Sequence, residues 1–271
     1  DSISALQLST RLKSQGFPAA SPVVLLRSPV VADLVVALLS KEPASEGARG
    51  LGAVRAAKQA IQACNHRYRP LVCRELGVRP DDIEYIAPCS PLQQGIISKA
   101  LTNEIRGAYF NSFVLTVDRT ASIERVREAW DRLIDANAIL RTVFLETPNG
   151  HVQAALKKSG ITWERRTTEL GEEIDEIIRT TRQDWISRNR EQILHPMHLT
   201  HLTAAGSDMV ILHIFHALYD GNSFDLMNDY ASAFYHYQES QSAPEFLDAL
   251  SHGPLGKYDH SRTFWVEHLD G

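Results

Sequence analysis

The run Met209-Val210-Ile211-Leu212-His213-Ile214-Phe215 constrains the fold more than any other stretch. It is apolar at every position but one, on both alternating faces of an extended chain. Such a strand has to be covered on both sides, so it reads as a central, buried strand of a sheet. The neighbouring segments can supply its partners and covers. Ser122–Asn137 places Ile123, Val126, Trp130, Leu133 and Ile134 on one helical side, and Phe224, Met227, Tyr230, Ala231 and Phe234 repeat that pattern. Glu172–Asp184 reads as a further helix, as does Ser90–Leu101 after Pro88. Tyr109–Val117 alternates Phe113, Leu115 and Val117 inward, which predicts a strand. Ile139–Glu146 and His151–Leu156 flank Pro148-Asn149-Gly150, a strong hairpin signal. Interleaved strands and helices give an α/β class, or an α+β sandwich.

The first third reads differently. Asp1–Gln15 is a helix stopped by Gly16, and Ser28-Pro29 caps a second helix that runs to Leu39. Two helices and a loop are a poor independent core. Lys41–Gly52, rich in Glu, Ala, Gly and Ser, reads as a linker. Val54, Ala57, Ile61, Cys64 and Tyr68 then form one helical face, interrupted at Pro70 and resumed to Leu76. The main domain boundary is expected at Arg79-Pro80-Asp81.

Composition narrows the function. In 271 residues, 44% hydrophobic and 23% charged side chains suffice for a buried core and exclude a wholly disordered chain. A formal charge of −5 argues against a broad nucleic-acid surface. The longest apolar run, Val30–Leu39, is broken by Asp33, so no membrane span is expected. Cys64, Cys73 and Cys89 are too few and scattered for a disulfide framework and read as buried small hydrophobes in a reducing, cytoplasmic setting. No secretory leader is visible, and the opening directly into helical sequence at Asp1 suggests a piece of something longer.

The chemistry concentrates in Leu212-His213-Ile214-Phe215-His216-Ala217-Leu218-Tyr219-Asp220-Gly221. A histidine at the end of a buried strand sits at a cleft mouth, where a neutral imidazole accepts a proton near neutral pH. Asp220 could orient that ring or pair with a distant Arg. Gly221 lets the backbone turn tightly, and Asn222-Ser223 start a helix whose N–H groups could face an anion. A core histidine beside an ordinary Asp-Gly turn accounts for the same residues. His195, His198 and His201 recur every three residues, but strand spacing puts His198 on the opposite face from the other two, so no metal site is read there. Arg165-Arg166 and Lys157-Lys158 read as solvated surface, and Trp130, Trp185 and Phe234 as core.

Four segments resemble nonribosomal peptide synthetase condensation domains and the related CoA-dependent acyltransferases. His216 with Asp220-Gly221 resembles the HHxxxDG signature. Pro88-Cys89-Ser90-Pro91-Leu92-Gln93-Gln94-Gly95 is similar to the opening segment in its fungal siderophore-synthetase form, PCTPLQ. Leu140-Arg141-Thr142-Val143-Phe144 matches LRTxF, and Tyr258–Leu269, with Phe264-Trp265, is similar to the segment closing the first lobe. Two positions depart: Phe215 stands for the first signature histidine, and Asn137-Ala138 for the usual His-Glu. The resemblance implies a chloramphenicol-acetyltransferase-like lobe over 82–271. In it His216 is the catalytic or positioning imidazole, and the Gly221 N–H region faces the oxyanion. Asp220 is mainly structural, with Arg141 its nearest partner, and Gln93 belongs to the structural motif. The implied reaction joins a carrier-bound aminoacyl or peptidyl thioester to an acceptor amine, in ferrichrome-type siderophore biosynthesis.

Asp1-Ser2-Ile3-Ser4-Ala5-Leu6 is similar to the DS[IL] motif of carrier domains. That implies 4′-phosphopantetheine on Ser2 and the C-terminal part of a carrier over 1–40, with 41–81 as linker plus amphipathic helix. The expected partners are loaded carrier domains, a phosphopantetheinyl transferase and other modules of the same synthetase, with no nucleic acid and no membrane. Family domains have two lobes, and these residues suffice for the first, so the chain alone is expected not to catalyse condensation. A free-standing CoA acyltransferase, an epimerisation domain and a folded scaffold fragment remain as rivals.

Overall fold

A computed structural model of the chain describes residues 2–17, 20, 24–25, 30–39, 45–102, 107–161, 163–168, 174–204, 206–238, 245–253, 255 and 266. Its contacts divide into two units, Asp1–Leu51 and Gly52–Gly271. In the first, α1 (Ser2–Ser14) ends at Gly16, whose φ of +92° a residue with a side chain rarely adopts. The buried Ser9 hydroxyl donates to the Ala20 carbonyl at 2.5 Å. A second helix, α2, spans Val31–Leu39; the Ser28-Pro29 cap expected for it lies outside the described residues.

The long helix α3 (Ser45–Leu76) corrects two expectations. The stretch read as linker is helical from Ser45, and Pro70 lies inside the helix without ending it. Pro70 is exposed, as is His66, whose carbonyl loses its helical donor. The buried face continues through Pro70. Cys64 and Val72 pack with Ile83, Ile86, Val143, Leu145, Val152 and Ala154. Arg69 donates to the Pro80 carbonyl at 2.5 Å, and the Asn65 side chain accepts from Ile86 N at 3.0 Å. That burial and these bonds put the helix from Gly52 onward in the same compact unit as the strands that follow, so the contact boundary falls earlier than Arg79-Pro80-Asp81 suggested.

The second unit continues with β1 (Ile83–Pro88), α4 (Pro91–Leu101), β2 (Phe110–Thr116), α5 (Ile123–Ala136), β3 (Thr142–Thr147) and β4 (Gly150–Leu156). It closes with β5 (Trp163–Thr168), α6 (Ile174–Arg188), β6 (Met197–Ala204), β7 (Ser207–Phe215), α7 (Gly221–Tyr235) and α8 (Phe246–His252). The strands form a three-stranded sheet in the order β1-β4-β3 and a four-stranded sheet in the order β2-β7-β6-β5. All pairs are antiparallel except β5 with β6.

The apolar run lies where its composition requires. β7 pairs with β2 on one side and β6 on the other, and Val210 to Phe215 are fully buried. One sheet face carries Phe113, Leu115, Val210 and Leu212 into a core shared with Trp130, Leu133 and Ile134 of α5 and Met227 and Ala231 of α7. The other face meets α6, where Ile177 packs with Leu202 and Ile211. The hairpin register is Thr147 opposite Gly150, so Pro148-Asn149 is the two-residue connection. Gly150 has φ +96°, and a Cβ there would lie 3.3 Å from the Gln94 amide. All three cysteines are free; burial pushes the Cys64 thiol up to about 11 and the Cys89 thiol higher still, so both stay protonated packing groups.

Candidate active site

The site is built at the end of β7. Its last residues are fastened to both neighbouring strands: Phe215 N donates to the Pro196 carbonyl at 2.8 Å and His216 N to the Tyr109 carbonyl at 2.9 Å. His216 then begins a single tight turn, His216–Leu218, and is half-buried. Its ring lies parallel to Tyr109, 10° between planes with centroids 6.1 Å apart. Tyr219 meets it edge-on at 5.0 Å. His216 Nδ1 is buried with no hydrogen-bond partner. Tyr219 is itself fixed, because Asn111 donates to its hydroxyl oxygen at 2.7 Å. Burial raises the Tyr219 phenol above its ordinary value, so it stays protonated.

Asp220 caps α7. Its carboxylate accepts from Ser223 N at 2.8 Å and from the Ser223 hydroxyl at 2.5 Å. The Ser223 hydroxyl in turn accepts from Asp220 N at 3.3 Å, completing a reciprocal cap. These bonds hold the carboxyl below the usual carboxylate range. Two expectations change here. Arg141 is not its partner: it is bonded at 2.8 Å to Glu84 and also to the carbonyls of Ile134 and Leu156. Arg141 lies at the start of β3 and fastens β1 to β4, so its segment serves the three-stranded sheet. The start of α7 is also no open anion cradle, because the Asp220 carboxylate already occupies the N–H of Ser223.

Gly221 is the first residue of α7 and has no positive φ; a Cβ there would meet nothing within 4 Å. The tight-turn reading of this glycine is therefore not what the backbone uses. The space where a Cβ would stand is open.

Gln93 reaches the loop from 124 residues away. The buried Gln93 amide donates to the Ala217 carbonyl at 3.2 Å, one residue past His216. Its oxygen accepts from Ser90 N at 2.9 Å and from Gln153 Nε2 at 3.2 Å. One side chain thus joins α4, β4 and the His216 turn. Ser2 opens α1, and its side chain lies outside the described residues. Of the closing segment Tyr258–Leu269, only Val266 is described.

The remaining histidines separate. His195 precedes β6 rather than lying in it, with its backbone N–H bonded to the Asn189 side chain at 2.8 Å. His198 lies 2.9 Å from Glu164, and His201 lies 2.7 Å from Asp208 on the other face. Among the described residues no three metal-ligating side chains gather. Arg165 and the Lys157-Lys158 pair are exposed, whereas Arg166 is half-buried and bonded to Glu164 at 2.6 Å. Sequence reasoning missed Tyr109, Asn111 and Tyr219. Asn111 is an odd-numbered step on the same strand face as Phe113, a signal that alternation could have given; Tyr109 turns on a backbone conformation that no local residue type announces.

No helix among the described residues is long and apolar enough to cross a membrane. The family model for condensation domains matches residues 83–271. The whole chain is 44% identical over 271 residues to "Nonribosomal peptide synthetase 2" of Gibberella zeae, and 42% identical over 271 residues to "Nonribosomal peptide synthetase SIDC" of Beauveria bassiana. It spans about 6% of the length of each. The solved condensation domain of the Monacolin K polyketide synthase MokA shares the fold at a TM-score of 0.54 and 12% identity, over 69% of this chain and 43% of that one. A fold with its histidine at the end of the central strand, and a family match that takes in every strand of both sheets, lead to one assignment: the chain belongs to the condensation-domain family.

Proposed function

We propose that this chain supplies the histidine-bearing lobe of a nonribosomal peptide synthetase condensation domain, and that the reaction joins a carrier-bound acyl or peptidyl thioester to an acceptor amine. The observation that carries this reading is His216. Its backbone is fastened to β2 and its Nδ1 is shut away, so on this reading Nε2 is the nitrogen that meets the incoming group. The amine nitrogen bonds to the acyl carbon as the carbon–sulfur bond breaks, and Nε2 holds the amine proton or keeps the amine in line. On this reading the Gly221 N–H is the donor to the oxygen that gains charge, while the Ser223 N–H stays with the Asp220 carboxylate; such a donor is worth about 3 kcal/mol. Asp220 holds the start of α7 and transfers no proton. Ferrichrome-type siderophore assembly is the product class we favour, on the fungal form of the Pro88–Gly95 segment.

We further propose that residues 1–40 are the C-terminal part of a carrier domain, with 4′-phosphopantetheine on Ser2. Ser2 is the first residue of a 13-residue helix, so a phosphodiester on it would stand at the positive helix end. The group supplies a flexible thiol on which acyl groups are carried. The partners on this reading are loaded carriers, a phosphopantetheinyl transferase and neighbouring modules.

The test uses the parent condensation module containing this chain, with donor- and acceptor-loaded carriers. His216→Ala is expected to abolish product, whereas Asp220→Asn keeps it. Product formation unchanged in His216→Ala refutes the reading. For Ser2, phosphopantetheinyl transferase and CoA should add the mass of the arm to the carrier-complete protein; the same gain in Ser2→Ala refutes that assignment.

A further inference from the structure

We infer that Tyr109 is a positioning residue that holds the His216 imidazole in its working orientation. The inference rests on His216 being the reacting group, as proposed above. Tyr109 has φ +65°, in the left-handed region that residues with side chains seldom occupy. The turn before it is built to keep it there. Gly107 has φ +82°, a conformation that residues with a side chain rarely adopt, and a Cβ on it would also press on Ile186 Cδ1 at 2.9 Å. Arg182 of α6 grips both ends of the turn, donating to the Gly107 carbonyl at 3.0 Å and to the Phe110 carbonyl at 3.0 Å.

What this arrangement achieves is specific. The Tyr109 carbonyl accepts from His216 N at 2.9 Å, and its ring lies parallel to the imidazole. One residue therefore fixes both the backbone and the ring of His216. The imidazole needs such help, because its Nδ1 has no hydrogen bond to set its rotation. Asp220, which would be the obvious orienting carboxylate, is turned to Ser223. The aromatic pair Tyr109 and Tyr219 takes over that function by packing on the ring face and edge. Tyr109 is 40% exposed, so it has no packing demand of its own that explains a left-handed aromatic residue.

The experiment reads the ring directly on the 271-residue chain. Diethylpyrocarbonate modification of His216 is followed by mass spectrometry across the imidazole titration range, in the parent and in Tyr109→Phe and Tyr109→Gly. Glycine keeps the backbone conformation and removes the ring; phenylalanine keeps the ring. We expect His216 to react about two- to tenfold faster in Tyr109→Gly, the factor an aromatic pair is worth, and at the parent rate in Tyr109→Phe. Should Tyr109→Gly fail to fold, Tyr109→Asn, which also tolerates the left-handed region, replaces it. An unchanged rate in the ring-less variant overturns the inference, and so does a Tyr109→Phe rate equal to that of Tyr109→Gly. A module in which His216→Ala still forms product would sink the functional proposal, while this measurement would still decide the stacking.

Discussion

Acid should weaken the lobe through one buried side chain, His213. It is completely buried in the central strand, with Nδ1 2.7 Å from the Ser112 hydroxyl and Nε2 3.0 Å from the Thr181 hydroxyl. The Trp185 ring stacks on it at 5.4 Å. A neutral imidazole fits this setting, with one nitrogen donating and the other accepting. Burial, with lesser contributions from His198 and Arg182, lowers its pKa from 6.5 to about 4. The sign follows from which state binds the proton first. Above 6.5 both states are neutral and the full stability is present. As the pH falls through 6.5 the unfolded chain takes up a proton that the folded chain refuses, and the loss grows until the folded state also protonates near pH 4. Between about pH 8 and about pH 5 the cost is about 2 kcal/mol. Urea unfolding followed by tryptophan fluorescence measures it. The comparison is His213→Gln, whose amide can bond both hydroxyls but does not titrate, so carboxylates and other histidines cancel in the difference. Parallel pH dependences for the two proteins would refute the reasoning.

Three other outcomes follow from the same structure. Asp220→Ala removes the cap of α7 and should cost about 1 kcal/mol in urea unfolding, whereas Asp220→Asn, which keeps an acceptor for Ser223 N, should cost only a few tenths; equal losses would show that charge rather than capping matters. Gln93→Leu strands the Ala217 carbonyl and Ser90 N and takes one of two acceptors from the Gln153 amide, and should cost about 2 kcal/mol while loosening the His216 turn, seen as faster amide exchange at 216–218. Gly150→Ala combines a positive φ with a 3.3 Å contact on Gln94 and should lower the unfolding midpoint by the equivalent of about 1–2 kcal/mol; an unchanged midpoint would mean that the hairpin relaxes freely.

Much of this was legible in the sequence because it depends on local pattern. Apolar periodicity marked α5, α7 and the central β7, since a stripe at helical spacing or a two-faced apolar run has few ways to be buried. The Pro-Asn-Gly signal marked the β3–β4 hairpin through the conformations those residues allow. The motif around His216 and Asp220 marked a strand end followed by a capped helix, because both are encoded within ten residues. Where the sequence misled, a distant partner decided. Pro70 reads as a break, but the buried face of α3 outweighs one lost helical bond. From its motif alone Arg141 is matched to Asp220; only the pairing of β3 with β4 and β4 with β1 brings it to Glu84. Gln93 reaches Ala217, and Tyr109 reaches His216, across chain separations over which periodicity carries no information. The sequence by itself determined the amphipathic helices α5 and α7, the β3–β4 hairpin and the central strand, and which histidine stands at that strand's end. Only the tertiary structure decided what touches that histidine, because contacts between remote segments are set by sheet order and register, and those minimise the free energy of the whole core rather than of any one stretch.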